Sequence, residues 1–187
     1  MSDTALVIID LQNDYFPGGA MELEGADAAG ARAGEALAEF RKRGWPVLHV
    51  QHLSVRPGAT FFIPGTRGAG IHASVRPAGG EAVVEKNFPN SFRGTDFGKR
   101  LEALGAKHLV VAGMMTHMCV DATVRQAADL GYRVTLLADA CATREQSYGG
   151  ERVPAKQVHA AFLAALNGLY AKVLPCADAL ATLGGKP

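Results

Sequence analysis

The chain has 187 residues, 48% of them hydrophobic, enough to bury the core of a domain without disulfide or metal staples. Nineteen basic residues stand against eighteen acidic ones, with no run of like charge. That balance argues against nucleic acid or an anionic membrane surface as the main partner and favours a small molecule.

In chain order, residues 5–9 are five apolar residues in succession and predict a strand buried on both faces, ending in Asp10. Residues 26–43 are alanine-rich with charges at helical spacing and stop at Gly44, a fitting C-terminal cap. Residues 45–51 read as the next strand. The stretch 53–80 carries Arg56-Pro57-Gly58, Ile63-Pro64-Gly65 and Gly68-Ala69-Gly70, too punctuated for regular structure. Loops of that length inside compact domains are usually functional. A strand over 81–86 follows, ending in Lys86. Then come a helix over about 95–104, a strand over 107–112, a helix over 119–130, a strand over 133–138, a helix over 154–169 and a short last strand over 171–174. This alternation predicts a parallel sheet covered on both faces.

No internal repeat or linker interrupts the pattern, so a single domain over 1–187 is expected. Gly-Gly pairs at 18–19, 79–80, 149–150 and 184–185 do not open a helix directly after a strand, so none is a dinucleotide fingerprint and no cofactor is expected. No basic segment precedes a hydrophobic stretch at the start, and no apolar run approaches a membrane span. A cytoplasmic location with no membrane partner is the expectation. Cys119, Cys141 and Cys176 are an odd set without metal-ligand spacing, as suits reduced thiols, and Cys141 and Cys176 read as structural.

Three chemically complementary groups end three of the strands. Cys119 sits where an apolar strand breaks through Gly113-Met114-Met115-Thr116-His117-Met118 into a helical pattern. A thiol at a helix N-terminus meets unpaired N–H groups and the positive end of the helix dipole, which favour thiolate and could hold an oxyanion. The plain alternative is an inert core cysteine. Asp10 is otherwise a cap or turn residue, and Lys86 a solvated lysine. Open α/β sheets bind ligands beyond the carboxyl ends of their strands, where all three lie.

These segments resemble the isochorismatase-like cysteine hydrolases, which include nicotinamidases, from about residue 5 to about residue 175. The resemblance rests on Leu6-Val7-Ile8-Ile9-Asp10-Leu11-Gln12-Asn13-Asp14-Tyr15-Phe16, on Val83-Val84-Glu85-Lys86 with Ser91-Phe92-Arg93-Gly94-Thr95, and on Val111-Ala112-Gly113-Met114-Met115-Thr116-His117-Met118-Cys119-Val120. It implies a three-layer, Rossmann-like α/β/α fold with a mainly parallel six-stranded sheet. It also implies a catalytic triad at Asp10, Lys86 and Cys119, an oxyanion hole from the Met115 and Cys119 N–H groups, and a cis peptide between Met114 and Met115. Asp10 would be general base and acid, and Lys86 would stabilise the thiolate.

Members that cleave amides keep the cysteine, whereas true isochorismatases lack it, so hydrolysis of a C–N bond through a thioester is the implied reaction. Ring-opening of a lactam or ureido compound is the alternative within enzymes, and a non-catalytic ligand-binding protein the alternative outside them. Nicotinamidases carry an Asp-x-His pair and a further histidine for a divalent ion. Here His52 and Ser54 stand at the pair and only His72 remains in the loop, so no metal is expected. Substrate contacts are expected from Tyr15, Phe16, Phe62, Phe88, Phe92 and His117, with Phe61 alongside, although core or subunit interface stays open for each phenylalanine. Arg144 and Glu145 read as a surface loop or oligomer contact. A homo-oligomer, dimer or tetramer, is expected.

Overall fold

The computed structural model describes residues 2–183, so the glycine pair at 184–185 lies outside the described residues. Six parallel strands form one sheet: β1 (Thr4–Ile9), β2 (Val47–His52), β3 (Ala82–Lys86), β4 (His108–Met114), β5 (Arg133–Ala142) and β8 (Lys172–Leu174). Their spatial order is β3-β2-β1-β4-β5-β8. A two-stranded hairpin, β6 (Gln146–Tyr148) and β7 (Glu151–Val153), stands apart from the sheet.

The two faces follow from the alternation along β1. Leu6 and Ile8 point to one side, where α1 (Ala26–Lys42) and α5 (Cys176–Thr182) bury Ala33, Ala36, Leu37, Phe40 and Ala179 against them. Ala5, Val7 and Ile9 point to the other, against Phe97 and Leu101 of α2 (Phe97–Ala103), Val124 of α3 (Asp121–Asp129) and Leu166 of α4 (Ala155–Leu166). Every residue of β1 is buried, which is why its sequence reads as a continuous apolar run. Among the described residues, no helix is long and apolar enough to cross a membrane.

The register sets the site. Ile9 pairs with Gly113 and His52 with Lys86, so the carboxyl ends of β1, β2, β3 and β4 finish at one edge. Gly113 is required there, because a Cβ at that position would stand 2.3 Å from the Ile9 carbonyl oxygen.

Several boundaries differ from the sequence reading. The expected strand over 133–138 continues to Ala142, paired through a bulge to the end of β4. The expected helix over 119–130 starts at Asp121, preceded by a π-type turn, Thr116–Val120. The hairpin β6–β7 and the terminal helix α5 were not foreseen. Pro175 opens α5, as proline does where an N–H would be unpaired in any case.

The long loop is tied down at its end by charge. Arg41 of α1 grips Glu81 at 2.7 Å, and Glu81 also meets His49 Nε2 at 2.9 Å. The Arg41 guanidinium, outweighing partial burial, draws the Glu81 carboxyl down to about 2. The folded value therefore lies below the unfolded one, so the stability it confers is complete above the ordinary carboxylate range and is lost as pH falls toward 2. Glu81→Gln should lower stability at neutral pH by about 1–2 kcal/mol and flatten the acid limb of the stability curve. Denaturant melts from neutral to acid pH check this, and parallel curves for the two proteins would refute it.

Candidate active site

Asp10 leaves β1 with φ +52°, a left-handed conformation that aspartate tolerates better than most residues, and so turns its carboxylate back over the sheet edge. Lys86 ends β3 and donates from Nζ to Asp10 Oδ2 at 2.7 Å; both side chains are fully buried. Lys86 Nζ also stands 3.0 Å from His52 Nδ1, its register partner at the end of β2. Asp10 Oδ1 is buried without a hydrogen-bond partner, and the Cys119 thiol lies beside both Asp10 and Lys86. Asp10, Lys86 and Cys119 are thus brought together from three strand ends.

The electrostatics correct one expectation. Cys119 is not at a helix N-terminus but within the π-type turn, and it is 3% exposed. Burial pushes its thiol up, the Asp10 carboxylate pushes it further, and Lys86 only partly opposes them. The balance of these effects favours the thiol over a standing thiolate. Burial pushes the Lys86 ammonium down, but Asp10 and Cys119 outweigh it and hold the lysine above its usual range. Burial and the adjacent Lys86 bring His52 down to about 4, so its imidazole is neutral at physiological pH. Its Nδ1 therefore accepts from the lysine.

Among the described residues, the one group of potential metal ligands is Asp10, His52 and Cys119, whose donor atoms lie within 4.8 Å of one another. The donor set suits a soft divalent ion, but the Lys86 ammonium already contacts all three groups. His72 is not brought to this cluster. Its Nδ1 meets Ser74, and its ring stacks on Phe16 at 3.6 Å between centroids. Ser54 bonds through its N–H to the Phe62 carbonyl.

The aromatic residues divide. Tyr15 is buried beside Cys119 and Asp10, and burial together with those groups holds its hydroxyl well above its usual pKa. Its ring meets Phe62 edge-on at 4.6 Å, with Phe61 at 6.0 Å, and Phe62 lies 5.9 Å from His52. Tyr15, Phe61, Phe62 and His52 make one continuous wall. Phe16 packs instead against His72 and α1, where a Cβ at Gly30 would strike its ring. Phe92 packs on Phe97 at 4.8 Å, in the core under α2, and the Phe88 ring lies under the Arg93 guanidinium at 3.8 Å. None of these three joins the wall. His117 Nδ1 bonds to Thr143 Oγ1, while its Nε2 is buried without a partner. The Met114–Met115 peptide is cis, and among the described residues the Met115 N–H donates to no protein acceptor. Glu145 pairs with Arg152 of β7 at 2.7 Å, and Arg144 is exposed. Cys176 donates to the Arg32 carbonyl, and Cys141 is buried in β5. A groove of about 980 Å³ opens at the opposite edge of the sheet beside Thr4, His108, Arg133 and Tyr170, far from this chemistry.

Two positioning residues escaped the sequence reading, although both lie in the segment that follows Asp10. The buried Gln12 carboxamide donates to the His52 and Ala69 carbonyls at 2.9 and 2.7 Å and accepts from the His52 N–H at 2.7 Å. The Asp14 carboxylate accepts from the Phe62 and Ala20 N–H groups at 2.6 and 3.2 Å and fills the space beside Gly68. Polar residues inside an otherwise buried turn were the available signal.

The family model for the Isochorismatase domain matches residues 4–177, and the chain belongs to the isochorismatase family of hydrolases. It is 51% identical to the isochorismatase family protein YddQ of Bacillus subtilis, over 91% of this chain and 94% of that one. It is 38% identical over 74% of its length to streptothricin hydrolase of Streptomyces noursei, of which it spans about half (49%), and 30% identical to the ureidoacrylate amidohydrolase RutB of Variovorax paradoxus, over 74% of this chain and 68% of that one. A crystal structure from Oleispira antarctica, described as an isochorismatase hydrolase, superposes with TM-score 0.92 at 49% identity, covering 95% of this chain and 96% of that one.

Removing the Asp14 carboxylate would strand two backbone donors, one of them buried behind Phe62. Asp14→Ala should cost about 2–3 kcal/mol and free the segment around Phe62. Thermal melts and limited proteolysis test it; unchanged cleavage between residues 54 and 66 would show that the loop is held elsewhere.

Proposed function

We propose that the protein is a metal-independent cysteine amidohydrolase, cleaving a C–N bond of a small molecule with Asp10, Lys86 and Cys119. The observation that carries this reading is the buried convergence of a thiol, an ammonium and a carboxylate with one unengaged oxygen. Asp10 Oδ1 takes the Cys119 proton as substrate enters, and the sulfur attacks the carbonyl carbon. The oxyanion that develops is held by the Met115 and Cys119 N–H groups. Its collapse breaks the C–N bond, and Asp10 returns the proton to the leaving nitrogen. Water, deprotonated by Asp10, then cleaves the thioester. Lys86 makes the thiolate affordable during attack, because its ammonium opposes the two effects that raise the thiol pKa.

Tyr15, Phe61 and Phe62 form the apolar wall against which a flat or compact amide would lie. Hydrolysis of a lactam or ureido compound by the same chemistry is the second reading, and the similarity to ureidoacrylate amidohydrolase favours its ureido form. The Lys86 ammonium at the centre of the potential ligand cluster supports chemistry without a metal.

A panel of primary amides, lactams and ureido acids, assayed for released ammonia or amine, should yield a substrate. On it, Cys119→Ala should lose at least about a thousandfold in turnover while melting as wild type does. Comparable turnover by the variant would sink the reading. Dialysis against a chelator should leave turnover unchanged, and a loss restored by zinc would make His52 a ligand. Alkylation separates the two charged partners. Asp10→Asn should keep or raise the rate at which iodoacetamide modifies Cys119 while turnover collapses, since the carboxylate raises the thiol pKa. Lys86→Met should slow both.

A further inference from the structure

We infer that His52 is a positioning residue for this chemistry: its Nδ1 holds one N–H of Lys86 so that the ammonium is aimed at the Cys119 sulfur. The inference rests on the reading of Cys119 as the nucleophile. An ammonium has three N–H bonds in fixed tetrahedral relation. One goes to Asp10 Oδ2 at 2.7 Å, and with that bond alone the head could still rotate about its axis. The second, to His52 Nδ1 at 3.0 Å, removes the rotation, and the third is left for the thiol beside it. The ring is itself fixed. The Gln12 carboxamide clamps the His52 backbone from both its N–H and its carbonyl, β2 holds it in register with Lys86, and Phe62 packs 5.9 Å away.

The charge state suits the role. The charged groups that reach His52 are Lys86 and Arg56, which oppose its protonation, and Asp10, which favours it; burial outweighs them all. A neutral imidazole can accept from Lys86, whereas a protonated one would repel it. Histidine here also leaves the local charge at one ammonium and one carboxylate, where an acidic residue would add a second negative neighbour and hold the thiol proton more tightly.

The test needs no substrate, so its failure is distinct from failure of the Cys119 reading, which the turnover of Cys119→Ala decides. Full-length His52→Leu, His52→Asn and His52→Gln are compared with wild type by the rate of iodoacetamide modification at mildly alkaline pH, followed by mass spectrometry of the Cys119 peptide, and by thermal midpoint. Asparagine puts an oxygen near the place of Nδ1, while glutamine puts its amide near Nε2. The expected result is about tenfold slower modification in His52→Leu and His52→Gln, equivalent to about one unit in thiol pKa, with His52→Asn returning most of the wild-type rate. The Asn-against-Gln comparison carries the test if the leucine variant does not fold. Equal rates for Asn and Gln, wild-type rates in Leu, or rates that merely follow the thermal midpoints would overturn the assignment.

Discussion

The buried pair between Lys86 and Asp10 is the constraint around which the sheet edge is built. Two charges removed from water repay their desolvation only in close, well-aligned contact with their remaining valences satisfied. Here both side chains are fully buried at 2.7 Å. The pair spans β1 and β3, which are not neighbours, so β2 must lie between them in a register that places His52 under the ammonium. A slip of one residue in β3 would turn Lys86 to the opposite face and leave Asp10 as an unpaired buried carboxylate. The alternation of Val84, Glu85 and Lys86 as buried, exposed and buried shows the register that this penalty enforces.

That pair also sets the charge state of the Cys119 thiol, the proposed nucleophile. Desolvation and the carboxylate hold the proton on sulfur, and a single ammonium leans the other way. A buried thiol whose proton is held in this way meets water and adventitious electrophiles mainly through its minor thiolate population. Under the proposed chemistry, reactivity would arise only as a substrate carbonyl meets the sulfur and an oxyanion develops near the Met115 N–H, so binding energy would be directed to the transition state rather than to a standing thiolate.

Much of this edge was legible because its signals are local. Five apolar residues ending in Asp10, a short strand ending in Lys86 and a strand breaking at Gly113 before Cys119 each announce a strand end, and the parallel sheet brings such ends together. What was not legible depends on distant partners. Burial and Asp10, more than a hundred residues earlier, push the Cys119 thiol up, and neither was visible to a reading built on the neighbours of Cys119 alone. Phe16, Phe88 and Phe92, expected at a pocket wall, pack against His72, Arg93 and Phe97, partners that no local pattern announces. The helix α5 escaped because a short alanine-rich segment after a proline carries little periodicity, and its burial of Cys176 and Ala179 against α1 supplies the stability that propensity does not.

The long loop shows why chemistry was easier to read than specificity. Its second half is seated on α1 through two glycines one turn apart: a Cβ at Gly30 would meet the Ser74 hydroxyl at 3.1 Å, and one at Gly34 the Ser74 carbonyl at 2.9 Å. Its first half has no such seat. Residues 55–58 and 64–67 are exposed, and Phe62, held at φ +56° by the Asp14 carboxylate, is the single deeply buried anchor between them. The wall over the triad thus hangs from one side chain on a strained backbone, while the triad itself stands on strand ends fixed by the sheet. Substrate size and shape would be read by the part of the molecule with the fewest local rules, and the reaction by the part with the most.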